Sequence, residues 1–206
     1  MWELNDNLVF HKHQVMGSTI YEVENVYKFP KKVKRWLFNR NVPLWKFGHP
    51  NSLNGKYFID KRLITFNKDA MQLLELCSDL SKQKLDTNDL VTNQTKFIPN
   101  DYNKKYKTHY WWHHIDVGYN GIVYFNESDE DNGTNLYHPQ TTLRKNHEHE
   151  DPWMSKEGIK LVHEIKPKFN KLVLFDGLYF PHGMAINDDR YLTKYRINQA
   201  IFMKAP

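Results

Sequence analysis

Alternating apolar and polar positions open the chain: residues 8–27, in NLVFHKH and STIYEVENVYKF, have the period of short strands. Pro30 then stands where a helix can begin, and Val33, Trp36 and Leu37 recur at helical spacing, predicting a helix over 30–40. A stretch rich in Pro, Gly, His and Asn predicts a loop through about residue 57. A second helix is predicted over 68–82, with Met71, Leu73, Leu74, Leu76 and Leu80 as its buried side. Cys77 lies among those leucines and reads as a small core residue.

From about residue 94 the texture turns to β. Candidate strands are KTHYWWHHIDV (107–117), GYNGIVYFNE (118–127), GTNLYHP (133–139), GIKLVHEIKP (158–167), NKLVLFDG (170–177) and YRINQAIFMK (195–204). They are rich in aromatic and β-branched residues and are separated by Asn-Gly, Asp-Gly and Pro-Lys turn signals. Helices followed by many short strands predict a mainly β, α+β fold: an antiparallel sandwich or barrel with helical support, not alternating βαβ units. No glycine-rich phosphate loop is present, which disfavours a nucleotide-binding fold.

A length of 206 residues without repeats or low-complexity linkers predicts one domain over 1–206, with 1–93 as support and 94–206 as the β core. No apolar run approaches the roughly 18 residues a membrane helix needs, and the N-terminus lacks a basic region followed by an apolar stretch. With one cysteine, this predicts a cytoplasmic, reducing setting and no membrane partner. The formal charge is +5, but the lysines are scattered. The densest basic run, Lys31, Lys32, Lys34 and Arg35, reads as the wet face of the first helix, so a nucleic-acid partner is only weakly supported.

The chemistry is to be sought among eleven histidines. His-x-Asp occurs twice, at His114–Asp116 and His149–Asp151, and context separates the two. His149 lies in the polar stretch RKNHEHEDP, where nothing would fix a ligand. His114 and Asp116 end an aromatic strand, where alternate side chains share a face and can point at one cation. His182 follows the apolar strand ending at Asp176-Gly177 and lies 68 residues after His114, room for the chain to return beside its earlier strand. Two imidazoles and one carboxylate form the facial triad of non-haem Fe(II) oxygenases, with positions left open for substrates.

In these residues the chain resembles the Fe(II)- and 2-oxoglutarate-dependent dioxygenases, especially their prolyl-4-hydroxylase-like branch. The matching pieces follow in order: His114-x-Asp116, the strand Gly121–Asn126, Gly133-Thr134 leading to Leu136-Tyr137, Asn170–Asp176 ahead of His182, and a basic residue on the last strand. The resemblance covers about residues 107–203 and implies a double-stranded β-helix (jelly-roll) core. It implies that His114, Asp116 and His182 hold Fe(II), and that O2 and 2-oxoglutarate are co-substrates. A substrate C–H would be hydroxylated with release of succinate and CO2. The far carboxylate of 2-oxoglutarate needs a buried cation, which arginine's planar fork suits. Arg196, opening the last apolar strand, is favoured over Arg190, although Arg190 is nearer the family's usual spacing after the distal histidine. Tyr124 matches a tyrosine that donates its hydroxyl to the same carboxylate in similar hydroxylases.

Trp111, Trp112, His113, Tyr137 and His138 are candidates for the substrate rim, with Trp112 and His114 expected on one face and Trp111 and His113 on the other. Residues 42–57 and 138–153 are long enough to act as lids. The substrate itself is not specified: a peptide side chain, a small metabolite and a nucleobase all fit. Two other readings compete. One is a zinc hydrolase on the same triad, and the other a non-catalytic β-sandwich that binds nucleic acid through its basic surface.

Overall fold

The structure is a computed structural model and describes residues 1–37, 46–47, 58–65, 67–83, 90–97, 105–127, 132–141 and 153–204. The chain begins with a hairpin, β1 (Val9–Val15) and β2 (Ser18–Glu24), whose two-residue turn holds Met16 and Gly17 at positive φ. Helix α1 (Pro30–Leu37) follows, then β3 (Lys46–Phe47), β4 (Phe58–Thr65), α2 (Asn67–Ser81) and β5 (Leu90–Phe97). The remaining strands are β6 (His109–Trp111), β7 (Gly118–Tyr124), β8 (Thr134–Tyr137), β9 (Trp153–Ser155), β10 (Leu161–Ile165), β11 (Lys171–Asp176), β12 (His182–Met184) and β13 (Arg196–Lys204).

The strands build a large antiparallel sheet in the order β1-β2-β11-β7-β13-β5-β4-β3 and a small one in the order β10-β8-β12; β6 and β9 pair separately. From β5 onward the chain alternates between the two main sheets. It leaves the large sheet after β5, joins β12 through a single bridge at His114, and returns for β7. It crosses again for β8 and β10, returns for β11, crosses for β12 and returns for β13. That winding is a double-stranded β-helix, the jelly-roll core expected from the sequence.

Strand alternation sorts the side chains of the large sheet. Val123, Phe125, Leu172, Leu174 and Ile201 face the helices, packing on Val33, Ala70, Leu73, Leu74 and Cys77. Ile122, Tyr124, Val173 and Phe175 face the small sheet, meeting Leu136, Ile165 and Phe180. The space between the sheets is therefore lined from β7, β11 and β13 on one side and from β8 and β12 on the other. No helix among the described residues is long and apolar enough to cross a membrane.

Several expectations need correction. Met71 is exposed, because the buried stripe of α2 runs through Ala70, Leu73, Leu74, Cys77 and Ser81, and Met71 lies a quarter-turn away. The stretch 107–117 is not one strand. A 3₁₀ turn (Lys105–Lys107) precedes β6, and pairing then lapses until His114, because β6 bonds to β9 while His114 bonds to β12. β4, β9 and β12 form where the local pattern predicts no strand, and β5 starts ahead of residue 94. Most of the expected lid segments 42–57 and 138–153 lie outside the described residues, as does His149.

Candidate metal centre

His114 and His182 are brought together by the backbone. Each donates its N–H to the other's carbonyl, at 3.0 and 2.8 Å, and the two ring centroids lie 4.5 Å apart. Gly183 permits this approach: a Cβ there would come within 2.5 Å of the Trp112 carbonyl oxygen. Asp116 is fixed separately, its N–H donating to the Gly177 carbonyl at 2.9 Å, while Gly177 donates to the Gly118 carbonyl at 2.9 Å. The end of β11 thus holds the turn that leads into β7.

The side chains converge. Asp116 Oδ2 lies 3.5 Å from His114 Nε2 and 3.3 Å from His182 Nε2, and one donor atom from each of the three residues lies within 4.8 Å of the others. Nitrogen and oxygen ligands of a transition ion sit at about 2.0–2.2 Å, so adjacent octahedral ligands are about 3 Å apart. The spacing therefore suits one ion with little rearrangement. His182 is also oriented, since its Nδ1 is 2.9 Å from the Phe180 carbonyl. A proton on Nδ1 donated there leaves the Nε2 lone pair turned toward Asp116, the arrangement that ligating histidines use. His182 is buried, whereas His114 and Asp116 are partly open, so the group has a protein side and an accessible side. Burial pushes the Asp116 carboxyl up, but the contacts with the His114 and His182 rings and the Asn120 amide outweigh it and hold the group well below the usual carboxylate range.

A second polar group lines the same inner wall. Tyr124 shares its face of β7 with Asn120 and Ile122, and its hydroxyl lies 2.7 Å from Thr134 Oγ1. The Arg196 guanidinium stands over the Tyr124 ring, with Cζ 5.7 Å from the centroid. Arg196 is 5% exposed and donates to Asn198 Oδ1 at 3.1 Å and to the Gly133 carbonyl at 3.0 Å, and its Nε has no partner among the described residues. Among the described residues this buried guanidinium is bonded only to neutral acceptors, and its charge is one that an anion would balance. Burial pushes the Tyr124 hydroxyl up to about 12 despite the nearby Arg196 charge. Tyr124 is therefore a neutral donor at ordinary pH.

The other sequence candidates occupy different surroundings. Arg190 lies in a 3₁₀ turn (Arg190–Leu192) and pairs with Asp188, Nη2 to Oδ2 at 2.6 Å and Nε to Oδ2 at 2.7 Å. Trp112 is partly exposed, with its ring 4.8 Å from that of His114. His113 is buried against Tyr137, ring centroids 4.6 Å apart. Tyr137 is fully buried between His113 and Tyr110 and lies inside the wall, not on an open rim. Trp111 packs edge-on against Trp153 in a separate apolar cluster. His138 accepts the Gln140 N–H on Nδ1 at 3.2 Å.

Asn120 went unrecognised in the sequence. Its Nδ2 lies 2.5 Å from Asp116 Oδ2 and 2.8 Å from His182 Nε2. The signal available was strand alternation, which puts residue 120 on the same face as Tyr124.

No protein-family model matches the sequence, and no curated protein sequence does. Among solved structures, the chain is similar to a prolyl-4-hydroxylase from Pseudomonas putida at 12% identity and a TM-score of 0.48, over 86% of this chain and 86% of that one. It is also similar to a proposed oxygenase from Shewanella oneidensis at 10% identity and a TM-score of 0.46, over 85% of this chain and 74% of that one.

Proposed function

We propose that this protein is a non-haem Fe(II), 2-oxoglutarate-dependent dioxygenase that hydroxylates a substrate C–H bond. The observation that carries the proposal is the convergence of two imidazoles and one carboxylate, His114, His182 and Asp116, between the two sheets of a jelly roll. That donor set, with one side open, is the facial arrangement suited to non-haem iron. Bound by these three residues, the iron would supply the oxygen activation that couples decarboxylation of 2-oxoglutarate, to succinate and CO2, with insertion of one oxygen atom into the substrate.

The remaining work belongs to the chain. His182 is held by Phe180 so that Nε2 carries the lone pair that would ligate, and Asp116 is held by Gly177 so that its carboxylate stays in reach. Arg196, with its unmatched Nε, would bind the far carboxylate of 2-oxoglutarate, and Tyr124 would add a neutral hydroxyl donor beside it. Apolar residues between the sheets, Ile122, Leu136, Phe175 and Phe180, would keep water from the co-substrate. The buried guanidinium favours this over zinc hydrolysis on the same triad, because a water-activating centre has no use for a carboxylate cradle.

The experiment is turnover of 2-oxoglutarate to succinate by anaerobically iron-loaded protein on admission of air, in wild type, Asp116→Ala and Arg196→Ala. Uncoupled succinate formation needs no prime substrate. It is expected in the wild type, absent in Asp116→Ala, and dependent on raised 2-oxoglutarate in Arg196→Ala. Absence of iron and 2-oxoglutarate binding from the wild type would overturn the proposal.

A further inference from the structure

We infer that Asn120 is the positioning residue of this metal centre, its side-chain amide fixing the ligating oxygen of Asp116 in a slot that Gly177 keeps open. The inference deepens the metal-binding reading of His114, Asp116 and His182 and rests on it. Three observations carry it.

The first is the choice of atom. Asp116 Oδ2 faces both histidine Nε2 atoms, and it is the same oxygen that the Asn120 amide meets. A donor on the ligating oxygen itself limits rotation of the carboxyl group. The two histidine rings meet this oxygen at 3.5 and 3.3 Å, longer than the amide contact, and the backbone N–H of Asp116, donating to Gly177, holds the main chain and not the carboxyl.

The second is the built slot. A Cβ on Gly177 would lie 2.9 Å from Asn120 Cγ and 3.0 Å from Nδ2, closer than side chains tolerate. The residue whose carbonyl anchors the Asp116 backbone is therefore also the one whose missing side chain admits the amide. Backbone and carboxyl of Asp116 are set from one place, the end of β11.

The third is the state of Asn120. It is 4% exposed on a central strand, and its Oδ1 has no partner among the described residues. An unmatched buried carbonyl destabilises the fold, so stability alone does not account for an asparagine here, whereas orientation of Asp116 does. Loss of a side chain that hydrogen-bonds a metal ligand typically changes metal affinity by about 10- to 100-fold.

The test uses two variants and cobalt(II) as the probe, which reports its ligand field by visible absorption. Asn120→Leu keeps the volume and removes the donor. Asn120→Asp keeps the shape and sets an acceptor against the Asp116 carboxylate. Both are expected to bind cobalt(II) roughly 10- to 100-fold more weakly than wild type, with an altered visible band. The metal-free thermal midpoint of Asn120→Leu should stay at or above that of wild type. Affinity within twofold of wild type and an unchanged band in both variants would overturn the inference. So would a loss of affinity that only follows a loss of folded protein; Asn120→Asp decides where leucine lowers the folded fraction. Failure of the wild type to bind cobalt(II) at all is a different result, which refutes the metal-centre reading itself.

Discussion

His114 and His182 exchange backbone hydrogen bonds across a single bridge, 68 positions apart in the chain and with their rings 4.5 Å apart. Neither residue's backbone can shift without disturbing the other's. The jelly-roll winding, which returns β12 beside the segment leading into β7, is therefore what brings two ligands from distant segments to one point.

Gly183 is where this contact is most easily broken. Alanine there must displace the Trp112 carbonyl, because its Cβ would come within 2.5 Å of that oxygen. Overpacking of this kind costs about 1–3 kcal/mol. Gly183→Ala should fold with a lowered thermal midpoint and lose at least ~10-fold in cobalt(II) affinity as the His114–His182 bridge opens, an effect comparable with loss of an outer-shell partner. Isothermal titration beside a melting curve checks both, and full metal affinity would show that the bridge is dispensable.

The two late arginines should behave differently. Arg190 is satisfied by Asp188, whereas Arg196 is buried with an unmatched Nε. Arg196→Lys keeps the charge and loses the fork, so 2-oxoglutarate affinity of the metal-loaded protein should fall ~10-fold or more, about one charge-assisted hydrogen bond. Arg190→Ala should leave it unchanged. Equilibrium binding of 2-oxoglutarate to the two variants separates them, and the opposite ranking would reassign the cradle to Arg190.

The sequence made some of this legible because local chemistry and global fold agree there. Pro30 starts α1, Lys171–Asp176 forms β11, and the apolar run after Arg196 forms β13, each a strong local pattern. His114, Asp116 and His182 were found because ligand-type residues stood at strand ends. What was hidden depends on contacts far apart in the chain. β12 is three residues, with no period to detect, and exists because β8 pairs with it. Asn120 touches Asp116 only because a glycine 57 positions later leaves space. Tyr137 was a rim candidate, yet His113 and Tyr110 close over it, contacts from residues more than twenty positions away that no local pattern shows.

Phe125 joins the large sheet to its helical cover. It is fully buried, stacks on Tyr27 at 6.1 Å and meets Phe169 edge-on at 6.3 Å. Phe125→Ala should cost about 3–5 kcal/mol, or roughly 6–20 °C in thermal midpoint for a chain of this size. Because the residue faces away from the intersheet space, cobalt(II) affinity of the folded fraction should be unchanged. Denaturant unfolding with and without metal tests whether the two faces of the sheet are independent.

Cys77 gives a prediction on the alkaline side. The thiol is fully buried among Val33, Leu73, Leu74 and Met203, and burial pushes it up to about 12 from an ordinary value near 9. The folded state therefore holds its proton more tightly than the unfolded chain. The sign follows from linkage: this contribution is fully present below about pH 9 and is lost as pH rises toward 12, at about 1.4 kcal/mol per pH unit for one proton. Buried Tyr124, pushed up to about 12, acts in the same direction at the upper end of that window. Cys77→Ala should be less stable at pH 7, because a buried sulfur is removed, but its stability should fall less steeply above pH 9. At pH 8 the native thiol should resist a disulfide reagent and react only at the rate of unfolding. Rapid labelling of the folded protein, or identical alkaline slopes in wild type and Cys77→Ala, would place Cys77 outside the core that joins α2 to the large sheet.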